Sequence, residues 1–592
     1  MFDVAIDGGA WPGPLADERS AIAGEAWLGP LGLLDRLELE LGLGRAPASP
    51  IARAAELAGR LSKQEGFWTR SLEVDPIATS KRLLADRDVL ALSGWRGQPA
   101  GERLDSLWSA TRDARPGIPE RLDGAISSLA RRRVDIRVIQ LVEPIGTLTS
   151  LWQELFIALE RSGVTLVDAP VRETPALGDL GAARSPSFVP SSDGSLQLVR
   201  PHGPLAAAED VAAALAASPD LQGLVVVTPD AILDAAIARH GLPQLGADVL
   251  RPGSTALVRL CIETAFHPAR AGDLHALLCS DPGPVPRSIA WALVSALRRF
   301  PGRGSAEWRA GLVAGLDAIE EDKRHAVAKR FAALLDPVAD RAVTITVDQL
   351  VTRMRALSEW ARSRAVTDST LRQVSAIAEE LVAIAALRGA DKLERPELHQ
   401  ICDEIERSLV TRAPAENGLS AVSGPGAMLG PARIIVWWGF TRDHAPIVPR
   451  LRLSPIERLA LANAGVVAPD GGTAMAHEAR RWRRPLVLAS EALILVCPQT
   501  DEVGESANPH PLWDDLIAAM PEPGLAARVE SSSMTLPYRG QRVGARRETV
   551  ERHATPVAAD VVQVSRAITL RETESASSIE QLLGCSLAYA LH

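Results

Sequence analysis

Lysine is scarce in this chain: five residues (Lys63, Lys81, Lys323, Lys329, Lys392) among 64 basic ones, and none of the five follows a glycine. A phosphate loop needs a glycine-rich turn ending in Gly-Lys-Ser/Thr, so that backbone N–H groups cradle the phosphates and the lysine reaches them. These residues do not supply one, which argues against ATP hydrolysis by that route. No run of about 18 apolar residues occurs, so no segment reads as a bilayer-spanning helix. Met1-Phe2-Asp3-Val4-Ala5-Ile6 has neither the basic flank nor the apolar core of a signal peptide, and the expected compartment is the cytoplasm. The five cysteines (Cys261, Cys279, Cys402, Cys497, Cys585) lie far apart, are odd in number and form no C-x-x-C pair. That argues against a disulfide framework or a zinc site complete within the chain. His477-Glu478 is followed by Ala479, Arg480 and Arg481, without the second histidine of a zinc protease.

What is present fits a multidomain globular protein. At 592 residues the chain exceeds one core, and 46% apolar with 23% charged residues is ordinary globular composition. A net charge of −9 excludes a uniformly basic nucleic-acid coat but leaves room for a local basic channel. Arg480-Arg481-Trp482-Arg483-Arg484 is the densest basic cluster. Arginine forks pair with phosphate and tryptophan stacks on bases, so these five are candidate DNA-binding residues. The competing account has the arginines lying over neighbouring surface and meeting acidic partners. Arg131-Arg132-Arg133 is a weaker candidate of the same kind.

Periodicity divides the chain. Residues 1–190 read as a first α/β unit: a Gly-Pro turn, a helix and a Gly stop within 27–43, a helix over 75–90, strand alternation over 134–142, a helix over 149–161, and a closing Pro/Ser/Gly-rich loop near 173–194. Strand 196–200, helix 205–217, the wholly apolar strand 223–227 and helix 230–239 then form a βαβ pattern, hence a parallel sheet. Residues 265–429 read as an all-helical insertion, with helical period to about 415. Strand character returns at 432–438 and 492–497, so 195–264 and 430–520 are expected to form one split α/β lobe. Residues 521–574 read as a linker.

Residues 575–592 open another domain. Ser577-Ser578-Ile579-Glu580-Gln581 is a helix start of the capping type, and Ile579, Leu582, Leu583, Leu587 and Leu591 recur at helical spacing. Two-metal phosphodiester cleavage needs clustered carboxylates with a lysine. Asp322-Lys323 and Asp391-Lys392 are bare adjacent pairs in helical stretches and read as solvated charge. Cys585, inside the last apolar face, reads as a buried inert thiol or as one ligand of an iron–sulfur cluster.

Several stretches resemble one family in order. Residues 577–592 are similar to the lead-in to the C-terminal nuclease domain, of the PD-(D/E)XK type, in AddB-like helicase–nuclease subunits, with Ser586 where that family has proline. Residues 79–90 with Gly94-Trp95, residues 240–246, Val436-Trp437-Trp438-Gly439-Phe440, Pro449-Arg450, Glu457-Arg458 and Pro509-His510-Pro511-Leu512-Trp513 resemble further blocks of it. The resemblance implies degenerate superfamily 1 helicase-like (RecA-like) lobes with parallel sheets, a DNA-binding non-motor subunit similar to RecC, and an AddA-like helicase–nuclease partner. It also implies a DNA end-processing role in double-strand-break repair, with exonuclease activity in a C-terminal domain that this chain only begins; no cofactor is expected in this chain, and a complete protein would use Mg²⁺ and, through Cys585, a 4Fe–4S cluster. Gln499-Thr500 stands where active relatives place a Thr-Arg that reaches the nucleotide. The alternative is a non-catalytic scaffold for a partner helicase.

Overall fold

The computed structural model describes residues 1–544 except 4–5, 7–9, 14–23, 45–48, 247, 250–251, 267, 337–343, 366–368, 409–410, 413–418, 446–450 and 540; past Gly544 it describes Ser575 and Ile579. Two compact units divide the chain, Met1–Ala545 and Arg546–His592. In the second, the Ile579 N–H donates to the Ser575 carbonyl at 3.0 Å. The rest of the helix expected there lies outside the described residues, with Cys585, and so do Pro449-Arg450.

The first unit is mixed α/β. Its N-terminal part is mostly helical, and its α/β character is confined to one βαβ element. Strand β1 (Val138–Leu141) leads through the Ser150–Arg161 helix to β2 (Thr165–Asp168), which pairs with it in parallel. Phe2 bridges Leu28 and Leu141, also in parallel, and extends this ladder. Phe2 is buried against Trp152 and Phe156, its ring centroid 5.1 Å from that of Phe156.

The main sheet has six strands, all parallel where they pair: β3 (Leu196–Val199), β4 (Leu224–Val227), β5 (Ser420–Val422), β6 (Ala432–Trp437), β7 (Ala489–Val496) and β8 (Glu530–Ser531). Their order is β8-β3-β7-β6-β4-β5. The four strands expected at 196–200, 223–227, 432–438 and 492–497 therefore share one sheet, and β5, inside the stretch expected to be all helical, joins its edge. The β4 side chains are all buried, because helices cover both faces. Each such Val or Leu contributes about 1.5–3 kcal/mol. The Pro204–Ala217 and Ala231–Arg239 helices cover one face through Val211, Leu215 and Ile237. The other face carries Leu486, Leu512, Trp513 and Leu516.

Several details differ from the sequence reading. The stretch between β4 and β5 is helical over most of its length but holds two short antiparallel ladders, Thr344–Thr346 with Lys392–Glu394 and Asp248–Val249 with Thr411–Arg412. Lys392 thus lies on a strand, not a helix, because Leu393 (0% exposed) needs an alternating segment to enter the core. The segment read as a linker from 521 contributes, up to Gly544, the edge strand β8 and a hairpin of Thr535–Tyr538 and Gln541–Gly544. Met534 and Leu536 of that hairpin region are fully buried on the sheet. The loop near 173–194 contains the short helix Gly178–Ala182.

The helical stretch does not keep a private core. Ile51, Ala55 and Ile77 from N-terminal helices belong to the same apolar cluster as Val374, Leu381 and Ile401. Gly59 on the Pro50–Leu61 helix lets that helix approach the Arg388 carbonyl closely.

Candidate nucleic-acid interface

The basic cluster lies where the Gly471–Trp482 helix ends. Asp470 starts that helix by accepting the Thr473 N–H at 3.1 Å, so Gly471-Gly472 forms its first turn. Arg480 and Arg481 in the last turn complement the helix dipole. Pro485, near the start of the short Arg484–Leu488 helix, lacks the N–H needed to continue the first helix, and the chain passes into β7.

The cluster faces the carboxyl ends of β1 and β2. A cleft of about 360 Å³ opens there, lined by Glu143, Thr147, Pro170, Arg480, Arg483 and Arg484, among others. Arg481 grips Glu143 with both arms, Nε to Oε1 at 2.9 Å and Nη2 to Oε2 at 3.1 Å, and also meets Glu478. Arg484 is buried. Its Nη2 lies 2.7 Å from Oδ2 of Asp3, whose side chain is fully buried, and 3.5 Å from Glu143, while its Nη1 donates to the Gly426 carbonyl. His477 Nδ1 lies 3.8 Å from the same Glu143. Burial alone would raise the Glu143 carboxyl; the Arg481 hydrogen bonds, with the charges of Arg484 and His477, outweigh it and hold the group below its ordinary value.

The five candidates therefore separate. Trp482 is buried, its ring edge-on to His510 at 4.7 Å, so it has no face for a base. Arg481 and Arg484 are neutralised by Glu143 and Asp3 and tie the N-terminal ladder to the main sheet. For these three the packing account holds. Arg480 and Arg483 are exposed. The Arg480 Nε donates weakly to the Ala476 carbonyl at 3.4 Å, and neither arginine has a carboxylate partner among the described residues. Arg132 donates to the Leu41 carbonyl and so caps the Pro30–Leu41 helix. Asp3 and Glu143 were missed in the sequence. The available signal for Glu143 was a carboxylate two residues past a strand, fixed by Pro144, at the end where α/β folds build sites.

Among the described residues no group of three or more His, Cys, Asp or Glu is placed to hold a metal, and no helix is long and apolar enough to cross a membrane. Described residues of two of the family-like blocks serve the core or its ties. Trp437, Trp438 and Phe440 are buried, and Glu457 accepts from Arg103 at 2.8 and 3.0 Å. No protein-family model matches the chain, and no curated protein matches it.

Proposed function

We propose that this chain is the DNA-binding, non-motor, helicase-like part of a DNA end-processing helicase–nuclease of the AddB/RecC type, acting with an AddA-like partner. The observation that carries the reading is the pair Arg480 and Arg483. They line a cleft at strand carboxyl ends and lack acidic partners among the described residues, although the two arginines beside them are neutralised. Two further points support it: the main sheet resumes after a long, mostly helical stretch, and no lysine follows a glycine to build a motor's phosphate loop.

The test is duplex-end binding at several salt concentrations. Removing one arginine–phosphate pairing should reduce the slope of log affinity against log salt by about 0.9. Arg480→Ala and Arg483→Ala together should flatten the slope while leaving the melting temperature unchanged. Arg484→Ala should lower the melting temperature instead. An unchanged slope in the double variant overturns the reading. For the whole helicase–nuclease the same proposal includes the exonuclease, its Mg²⁺ and an iron–sulfur cluster with Cys585 as one ligand, and iron and sulfide analysis of the purified helicase–nuclease tests the last.

One observation favours a scaffold reading. The Pro455–Asn463 helix turns Ile456 (78% exposed) and Leu459 (64%) outward. If a partner helicase covers them, Ile456→Asp with Leu459→Asp abolishes co-purification with that helicase and leaves DNA affinity intact.

A further inference from the structure

The chain has 13 tryptophans, and among them only Trp291 is exposed, at 66%. It stands on the Arg287–Arg299 helix. That helix buries Ile289, Ala290, Leu293, Val294, Ala296 and Leu297, and its opposite side is open. At 100° per residue, Arg287, Trp291, Ser295 and Arg298 fall on one exposed stripe, with Arg299 beside it. The stripe is about 16 Å long at 1.5 Å per residue. The helix carries no acidic residue, in a chain of net charge −9.

Arg287 pairs with Asp281 at 2.8 Å, but both side chains are largely exposed, so a phosphate replaces the carboxylate at little cost. Arg298 and Arg299 have no ion pair among the described residues. Their place in the last turn is explained by the helix dipole. The dipole does not explain an indole held out in water, where its apolar area is unburied. Nearby packing does not claim the ring either. The Ala306–Asp317 helix crosses this one through Gly315, where a Cβ would come within 2.6 Å of the Ile289 Cα, so that contact is made by backbone and small residues.

We propose that the outer face of the Arg287–Arg299 helix is a stacking platform for a single nucleic-acid strand. An unpaired base lies on Trp291, and Arg287, Arg298 and Arg299 hold the flanking phosphates. Every base has a π-face, so the platform takes a strand without reading its sequence. A duplex gains little there, because its bases are already stacked. The proposal rests on the nucleic-acid reading above but uses a different part of the fold, and it adds the kind of strand bound.

The test uses the full chain, fluorescent oligo-dT, and an abasic strand of equal length that keeps the phosphates. Trp291→Ala should weaken oligo-dT binding roughly 5- to 150-fold and leave abasic binding and the melting temperature unchanged. Trp291→Phe should keep most of the affinity. Arg298→Ala should lower the salt slope by about 0.7 on both strands. Unchanged oligo-dT affinity in Trp291→Ala, or equal losses on both strands, overturns the platform. Self-association of the wild type that Trp291→Ala removes also overturns it, since the face then belongs to a second copy. If duplex-end binding depends on Arg480 and Arg483 while oligo-dT ignores Trp291, only the platform falls. If the wild type binds neither DNA, both proposals fall.

Discussion

His510 should make the main sheet weaken as the pH drops. The residue is 2% exposed and starts the Pro511–Ala518 helix, where its Nδ1 accepts the Leu512 N–H at 3.2 Å. The ring stacks on Phe440 and meets Trp437 and Trp482, at centroid distances of 5.3, 5.1 and 4.7 Å. Burial, with His444 nearby, pushes its pKa down to about 4 from 6.5. Protonation would also turn the capping acceptor into a donor facing an N–H. The unfolded chain therefore takes up this proton first. The stabilisation is complete above pH 6.5 and is lost as the pH falls through the window down to about 4. A displacement of this size is worth about 3 kcal/mol. Urea unfolding followed at steps from pH 7.5 to 4 should show the loss. His510→Asn keeps a capping acceptor but removes the titration. It should be less stable at every pH, because the ring packing is gone, yet its pH dependence in this window should be shallower than the wild type's. A histidine Cε1–H titration by NMR gives the pKa directly. A value at or above 6, or parallel pH curves for the two proteins, would show that the aromatic site does not hold the ring neutral.

Asp3→Asn should cost about 3–5 kcal/mol by leaving Arg484 under-compensated in a buried site, and adding Arg484→Met should recover part of it in a denaturation double-mutant cycle; strict additivity would show the pair to be uncoupled. Gly59→Ala should lose about 1–3 kcal/mol by overpacking, because a Cβ there overlaps the Arg388 carbonyl; a neutral result by calorimetry would show that the two helices separate freely. Ser454→Ala should cost about 1 kcal/mol, since the Ser454 hydroxyl accepts the Glu457 N–H at 3.2 Å while Glu457 returns to the Ser454 N–H at 2.7 Å; helix protection by hydrogen exchange reads the effect.

The central strands were legible because burial on both faces leaves a plain mark. Leu224–Val227 and Ile434 to Trp437 are unbroken apolar runs, and the structure pairs them residue for residue. The edges were not legible. Ser420–Val422 and Glu530–Ser531 are too short and too polar to show a period, and only their neighbours make them strands. The Lys392–Glu394 ladder was hidden by helical sequence on both sides. The basic cluster was visible as charge, but its division was not. Glu143 lies 338 residues from Arg481, and no local pattern reports which arginines meet it.

The strand order also sets a timetable during synthesis. β3 and β4 leave the ribosome early, yet the strands that will lie between them come much later. Hydrogen bonds that close these gaps join residues 210 and 299 positions apart, Thr228 to Trp438 and Gln499 to Arg200. At ribosomal speeds of about 5–20 residues per second, the apolar flanks of the first strands wait roughly 10 to 60 s for their neighbours. During that interval they are open edges with high β-propensity. Chaperone demand and inclusion-body formation should therefore follow the elongation rate from β4 to β7 more closely than they follow the stability of the finished fold.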